Sequence, residues 1–276
     1  MKRIYCFVFT LALLLSACAK QEEAMETPAE KPITMEREIE ETKDYGITPT
    51  PEPTPTPLSD SGKKELLRFD NAEKGESIDY WLSIPHNAVE GMPLIVFLHG
   101  DGNVGRPESL DNNAISCVIE DIYGDEAPFI LLMPSTTTRS WTAGNIPENL
   151  MALIEYIADS YSVDRDKIAL TGHSRGAIGT WYYISAYPEL FSAAVPISCG
   201  CDEVLSYENM AKVPIRGFCG DVGQDGSHYL PAMERIAAAI NEAGGSAKID
   251  VLQGCGHAES ERAAWTKEVF QWLISQ

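Results

Sequence analysis

The stretch from Lys167 to Ala177 constrains this chain most, and it reads Lys-Ile-Ala-Leu-Thr-Gly-His-Ser-Arg-Gly-Ala. A short apolar run leads into a Gly-x-Ser-x-Gly pentapeptide, which is followed by small residues that suit a helix start. Gly172 and Gly176 lack the Cβ atoms that would clash in so tight a turn. The stretch therefore predicts a strand, a sharp turn and a helix, with Ser174 raised at the turn.

The chemical setting of Ser174 favours a nucleophile. The N–H groups at the start of the following helix would point toward the serine oxygen and stabilise negative charge there. This context resembles the nucleophile elbow of the α/β-hydrolase superfamily. The competing interpretation is a glycine-rich helix start with an incidental serine.

Predicted strands alternate with predicted helices along the chain. This order predicts a mostly parallel, doubly wound α/β sheet, the architecture of the α/β-hydrolase fold. The predicted strands cover residues 76–85, 94–98, 129–133, 167–172, 193–199, 213–219 and 248–252. The predicted helices cover 110–123, 145–157, 174–187 and 229–243, and a last one carries Trp265, Val269 and Trp272. Because the interval between 199 and 213 is short, we expect no large lid domain and an open cleft.

Residues 1–18 have the pattern of a secretory signal. Lys2 and Arg3 precede an apolar run that is shorter than the roughly 20 residues needed to span a bilayer. The run ends in Leu-Ser-Ala before Cys18, which resembles a bacterial lipobox. The resemblance implies a lipoprotein anchored to the membrane through Cys18 at the cell surface. The alternative is an ordinary signal with a chance cysteine.

Residues 19–61 are predicted to be a polar linker, and residues 62–276 a catalytic domain. The linker is rich in Glu and ends in alternating prolines at 49–57, which favour an extended spacer. The net charge is −20 and no basic stripe occurs in the sequence. Because like charges repel, we do not expect nucleic acid or acidic polymers as partners.

A serine nucleophile needs a base and an acid, which follow it in the chain order of this superfamily. Only His228 and His257 come after Ser174. His257 follows the last predicted strand and is the expected base, whereas His228 is expected at the rim. His99 and His173 are interpreted as residues that shape loops.

The acid is sought after the strand at 213–219. The usual position, three residues past Gly220, is occupied by Gly223, so the chain departs from the common pattern. We expect Asp225 to be the acid, delivered by a lengthened turn. Asp221 is the alternative, and Asp202 is a more distant one.

The resemblance also implies an oxyanion hole formed by the main-chain N–H groups of Asp101 and Arg175. The Arg175 side chain either binds an acidic substrate group or points to solvent. Trp141 is interpreted either as a wall of the cleft or as a packed core residue.

The five cysteines beyond Cys18 leave two alternatives, a disulfide that braces the active-site loops or buried free thiols. They are Cys117, Cys199, Cys201, Cys219 and Cys255. No Cys/His spacing resembles a zinc site, and neither a metal nor a cofactor is expected.

Three segments are similar to the branch that holds feruloyl esterases, polyhydroxybutyrate depolymerases and prolyl-oligopeptidase-like enzymes. They are Leu98–Gly100, Leu170–Gly176 and Tyr187–Ser198. The resemblance implies a serine carboxylesterase acting on small or polysaccharide-borne esters, including acyl and feruloyl groups. The alternatives are a serine peptidase of the same fold and an inactive polysaccharide-binding module.

Overall fold

One sheet runs through the part of the protein that the computed structural model describes, residues 56–72, 74–201 and 205–276. Its strands are β1 Lys64–Asn71, β2 Glu76–Ser83, β3 Leu94–Leu98, β4 Ile130–Pro134, β5 Ile168–His173, β6 Ala193–Ile197, β7 Ile215–Gly220 and β8 Ala247–Leu252. They lie in the order β1-β2-β4-β3-β5-β6-β7-β8. The pairs β1/β2 and β2/β4 are antiparallel, and every pair from β4 to β8 is parallel.

Helices cover both faces of this sheet. They are α1 Ala114–Tyr123, α2 Ile146–Ser160, α3 Arg175–Ala186, α4 Tyr207–Met210, α5 Leu230–Glu242, α6 His257–Ala263 and α7 Lys267–Ile274. Side chains of α2, α3 and α5 belong to the core on one face, and those of α1 and α7 to the core on the other. Every residue of β3, β4, β5 and β6 is buried, as continuous apolar runs in a covered parallel sheet require. The predicted doubly wound sheet is confirmed.

The structure differs from the sequence expectation at the two ends of the domain. β1 was not predicted, because Lys64–Asn71 is an edge strand in which exposed residues alternate with half-buried ones and few positions are apolar. The last predicted helix is divided into α6 and α7, since the Thr266 hydroxyl accepts a hydrogen bond from Val269 N and starts a new helix. Trp265 lies at the break and is buried.

The start of α2 also differs in detail. Asn145 stands at the N-cap as expected, but its side chain does not cap the helix. Its amide instead donates to Glu76 Oε1 at 2.7 Å, which ties the start of α2 to β2.

The signal at 1–18 with Cys18, the linker up to residue 55, and Asp202 lie outside the described residues. At Thr56 and Leu58 the chain already contacts the sheet domain through main-chain hydrogen bonds with Glu90 and Ala88. No helix in the described ranges is both long enough and apolar enough to cross a membrane.

Candidate active site

Ser174 sits in a strained turn between β5 and α3. Its φ of 57° lies in the left-handed region, which residues other than glycine rarely adopt. A Cβ atom on Gly176 would overlap the Leu98 carbonyl, and one on Gly172 would overlap the Gly176 carbonyl. The two glycines therefore let the turn pack against the end of β3, and the predicted strand, turn and helix are all present.

Asp225, His257 and Ser174 form a continuous hydrogen-bonded chain. A carboxylate only accepts, so His257 Nδ1–H donates to Asp225 Oδ1, at 2.7 Å. The Nε2 atom then carries a lone pair and lies 2.8 Å from Ser174 Oγ, where it accepts the hydroxyl proton. This arrangement can remove a proton from Ser174 when the oxygen attacks an electrophile.

The Asp225 carboxylate is fully buried at the start of a π-helical turn, Asp225–Tyr229, that leads into α5. Its Oδ2 atom accepts from Ser198 Oγ at 2.6 Å, Ser260 Oγ at 3.1 Å and Gly220 N at 3.2 Å. These donors offset the cost of burying the charge. Oδ1 is left to face His257.

Asp221, the alternative acid, has a different position. Its Oδ1 accepts from Gly254 N at 2.7 Å, and the residue is exposed. Asp221 thus holds the main chain of the loop that precedes His257, while Asp225 contacts the imidazole itself.

The two expected oxyanion donors lie at helix starts, and both residues line the cleft with Ser174. Asp101 begins a 3₁₀ turn and Arg175 begins α3, so their N–H groups have no partner within those helices. Gly100 allows the Asp101 loop to approach, because a Cβ atom there would stand 3.2 Å from Ser174 Cβ. The Arg175 side chain is half-exposed, with Nε 3.5 Å from Asp101 Oδ1.

His99 and Trp141 form hydrogen bonds that hold the loop carrying Gly100 and Asp101. The buried His99 ring accepts from Thr136 N at 3.2 Å and lies 2.7 Å from the Gly100 carbonyl. Burial lowers the pKa of His99, which favours the neutral ring that these contacts require. Trp141 is 2 % exposed and donates to the His99 carbonyl at 3.0 Å, so it is a packed core residue.

His173 contacts the main chain of His257 and the side chain of Glu261. Its Nε2–H donates to the His257 carbonyl at 2.9 Å, and its Nδ1 lies 3.5 Å from Glu261 Oε2. Burial, and then the nearby His257, lower the pKa of His173 to about 4. Burial likewise raises the pKa of Glu261. Both shifts favour uncharged side chains in this pair.

Ser174, His257 and Asp101 are among the residues that line a cleft of about 760 Å³. The exposed His228 lies at its rim, as expected. Within residues 56–72, 74–201 and 205–276, no group of three or more His, Cys, Asp or Glu side chains is arranged to hold a metal ion.

Cys219 and Cys255 are free thiols, so no disulfide joins β7 to the loop that carries His257. Cys219 is buried beside Asp225. Burial, followed by the carboxylate charge, raises the pKa of its thiol to about 12 and keeps it protonated.

Three polar residues that contact Asp225 or His173 were not identified from the sequence: Ser198, Ser260 and Glu261. Ser198 follows a buried strand directly, at the same edge of the sheet as Ser174, and this is the signal that could have identified it. Ser260 and Glu261 lie on α6, one turn after His257, and their importance depends on where that helix packs.

The comparisons with known proteins identify a family. The family model of the dienelactone hydrolase family matches residues 119–268, more than half of the chain. The chain belongs to the dienelactone hydrolase family. The match begins in α1 and includes Ser174, Asp225 and His257.

A separate comparison with curated proteins finds two similar esterases. A probable acetylxylan esterase A of Aspergillus niger is 22 % identical over 147 residues, covering 48 % of this chain and 46 % of that protein. A feruloyl esterase B of Talaromyces stipitatus is 25 % identical over 158 residues, covering 49 % and 42 %. The chain thus spans less than half the length of these two curated relatives.

Among solved structures, a thermostable esterase superposes with a TM-score of 0.60 at 26 % identity, covering 77 % of this chain and 63 % of that one. Together with the dienelactone hydrolase family match, this superposition confirms the predicted α/β-hydrolase fold.

Proposed function

We propose that this member of the dienelactone hydrolase family is a serine hydrolase of carboxylic esters. The observation that carries the proposal is the hydrogen-bonded chain from Asp225 Oδ1 through His257 to Ser174 Oγ, with distances of 2.7 and 2.8 Å. Such a chain supplies a nucleophile, a base and a group that orients the base.

In the proposed reaction, Ser174 Oγ bonds to the ester carbonyl carbon while His257 Nε2 takes the hydroxyl proton. The Asp101 and Arg175 N–H groups stabilise the oxyanion that develops. Breakage of the C–O bond releases the alcohol, which takes the proton from His257. Water, deprotonated by His257, then attacks the acyl-enzyme, releases the acid and restores Ser174.

The proposed substrates are acyl or feruloyl esters, including those borne on polysaccharide. Two observations support this class: the names of the acetylxylan and feruloyl esterases that the chain resembles, and an open cleft of about 760 Å³. The net charge of −20 disfavours acidic polymers, since like charges repel.

We further propose that the protein is exported and anchored through Cys18. The basis is the basic, apolar and small-residue pattern of residues 2–18. Expression with an alkyne analogue of palmitate should label the full chain and not the Cys18→Ser variant. Cys6→Ser is the matched control, because Cys6 would be removed with the signal; label retained in Cys18→Ser contradicts the anchor.

Hydrolysis of p-nitrophenyl acetate and butyrate by the purified full chain tests the ester hydrolase. Ser174→Ala should abolish turnover, whereas Ser185→Ala, at a buried serine away from the cleft, should leave it unchanged. Equal activity of Ser174→Ala and the unmodified protein would exclude the assignment. A preference for peptide amides over esters would favour a peptidase, and no labelling by a fluorophosphonate would favour an inactive binding module.

A further inference from the structure

Ser198 has an unusual backbone conformation at the edge of the sheet where Ser174 lies. In the β5/β6 register His173 pairs with Ile197, so Ser174 and Ser198 are the next residues on adjacent strands. Both have positive φ, 57° and 54°. Residues other than glycine rarely adopt this conformation, so it persists only where the surroundings impose it.

The Ser198 main chain and side chain are both held in place. Its N–H donates to the Phe218 carbonyl at 2.8 Å, which extends the β6/β7 ladder past the end of β6. The side chain is fully buried, and its hydroxyl donates to Asp225 Oδ2 at 2.6 Å. The strained conformation thus aims a hydroxyl at the carboxylate oxygen that does not contact His257.

Ser260 reaches the same oxygen from α6. It is fully buried, lies three residues after His257, and its Oγ stands 3.1 Å from Asp225 Oδ2 and 2.8 Å from the Gly256 carbonyl. Gly220 permits this approach, because a Cβ atom there would lie 2.7 Å from Ser260 Oγ. The hydroxyl has one proton, which it shares between two acceptors, so its bond to Asp225 is weaker than that of Ser198.

We propose that Ser198 and Ser260 are positioning residues that fix the plane of the Asp225 carboxylate, so that one oxygen points at His257 Nδ1 while the other accepts from the two serines. Oδ2 accepts from Ser198 just after β6, from Ser260 on α6 and from Gly220 N at the end of β7, so a partial rotation of the carboxylate about its Cβ–Cγ bond would break these hydrogen bonds. The inference rests on the proposed function, since orientation of Asp225 matters to catalysis only if His257 acts as the base.

Two variants of Ser198 separate the hydroxyl from the backbone strain. Ser198→Ala removes the hydroxyl and keeps the strain, whereas Ser198→Gly removes both, because glycine adopts positive φ freely. We expect each variant to lower kcat about 10- to 100-fold, which is the usual contribution of a hydrogen bond to a charged group. KM should stay within about twofold of that of the unmodified protein. Ser260→Ala should have a smaller effect, and Ser185→Ala none.

A spectroscopic measurement separates failure of this inference from failure of the proposed function. The His257 Nδ1–H proton should give a far-downfield proton NMR signal that disappears in His257→Gln. It should shift or broaden in both Ser198 variants and not in Ser185→Ala, whether or not any ester is hydrolysed. Unchanged kcat together with an unchanged signal in folded Ser198→Gly would overturn the inference. An inactive unmodified protein with a shifted signal in Ser198→Gly would overturn only the proposed function.

Discussion

Asp225 Oδ1 lies 2.7 Å from His257 Nδ1, although 32 positions separate the two residues in the chain. The contact depends on two neighbouring parallel strands, because Asp225 follows β7 and His257 follows β8. Carboxyl ends of adjacent parallel strands meet at one edge of a sheet, and ligands of open α/β sheets bind at that edge. The position of Ser174 at the end of β5 completes the group.

The two candidate acids can be separated by a pair of amide variants. Asp225→Asn should lower kcat about 10³- to 10⁴-fold, because an amide no longer holds the His257 tautomer with a lone pair on Nε2. Asp221→Asn should cost less than about tenfold, since this side chain only accepts from Gly254 N. Steady-state kinetics on a p-nitrophenyl ester measure both, and a larger loss in Asp221→Asn would reverse the assignment.

Proline at position 101 tests the oxyanion hole. Gly100 has φ −83° and ψ −175°, an extended conformation that a following proline permits, and position 101 is the first of a 3₁₀ turn. Asp101→Pro should therefore fold while lacking one N–H donor, with a loss in kcat of about 10²- to 10³-fold. Asp101→Asn keeps the N–H and removes the charge near Arg175, so its kcat should stay within about tenfold. Equal kcat values for the two variants would show that this N–H has no role.

Gly176 should be intolerant of any side chain. Gly176→Ala places a Cβ against the Leu98 carbonyl, a main-chain atom that cannot move aside, so we expect a loss of about 3 kcal/mol or more in the free energy of unfolding. Gly102→Ala is the matched control, since a Cβ there meets nothing within 4 Å. Urea unfolding followed by circular dichroism measures both. Similar midpoints for the two variants would contradict the tight packing of the turn.

His173 should make the folded protein sensitive to acid. Its pKa is about 4 in the folded protein against 6.5 for the ordinary side chain, so between these values the unfolded chain binds more protons. Stability supplied by neutral His173 is present above about pH 6.5 and is lost as the pH falls toward 4, by at most about 3 kcal/mol.

His173→Gln has no imidazole to protonate and is the matched comparison. Carboxylates titrate in both proteins, so the difference in their free energies of unfolding, measured by urea titration at pH 7 and pH 4, reports His173. The unmodified protein should lose more stability than the variant on acidification. Parallel losses would mean that His173 is not held neutral by burial.

Site residues that carry a local sequence pattern were predictable, and those without one were not. Ser174 and its turn were predicted because glycine spacing and apolar periodicity are local, and His257 because one histidine follows the last predicted strand. Asp225 was preferred over Asp221 only by the length of a turn. Ser198, Ser260 and Glu261 were missed, since a serine or glutamate in a strand end or a short helix has no distinctive local pattern.

The sequence by itself determined the order of β2 to β8, the helices α1, α2, α3 and α5 between them, and the elbow at Ser174, because each depends on neighbouring residues and on periodicity. Only the tertiary structure decided which carboxylate meets His257 and which donors hold it. That choice depends on a π-helical turn after β7 and on the packing of α6 against β7, which bring together residues from three separate segments. The distances between such segments arise only when the sheet and its helices have packed.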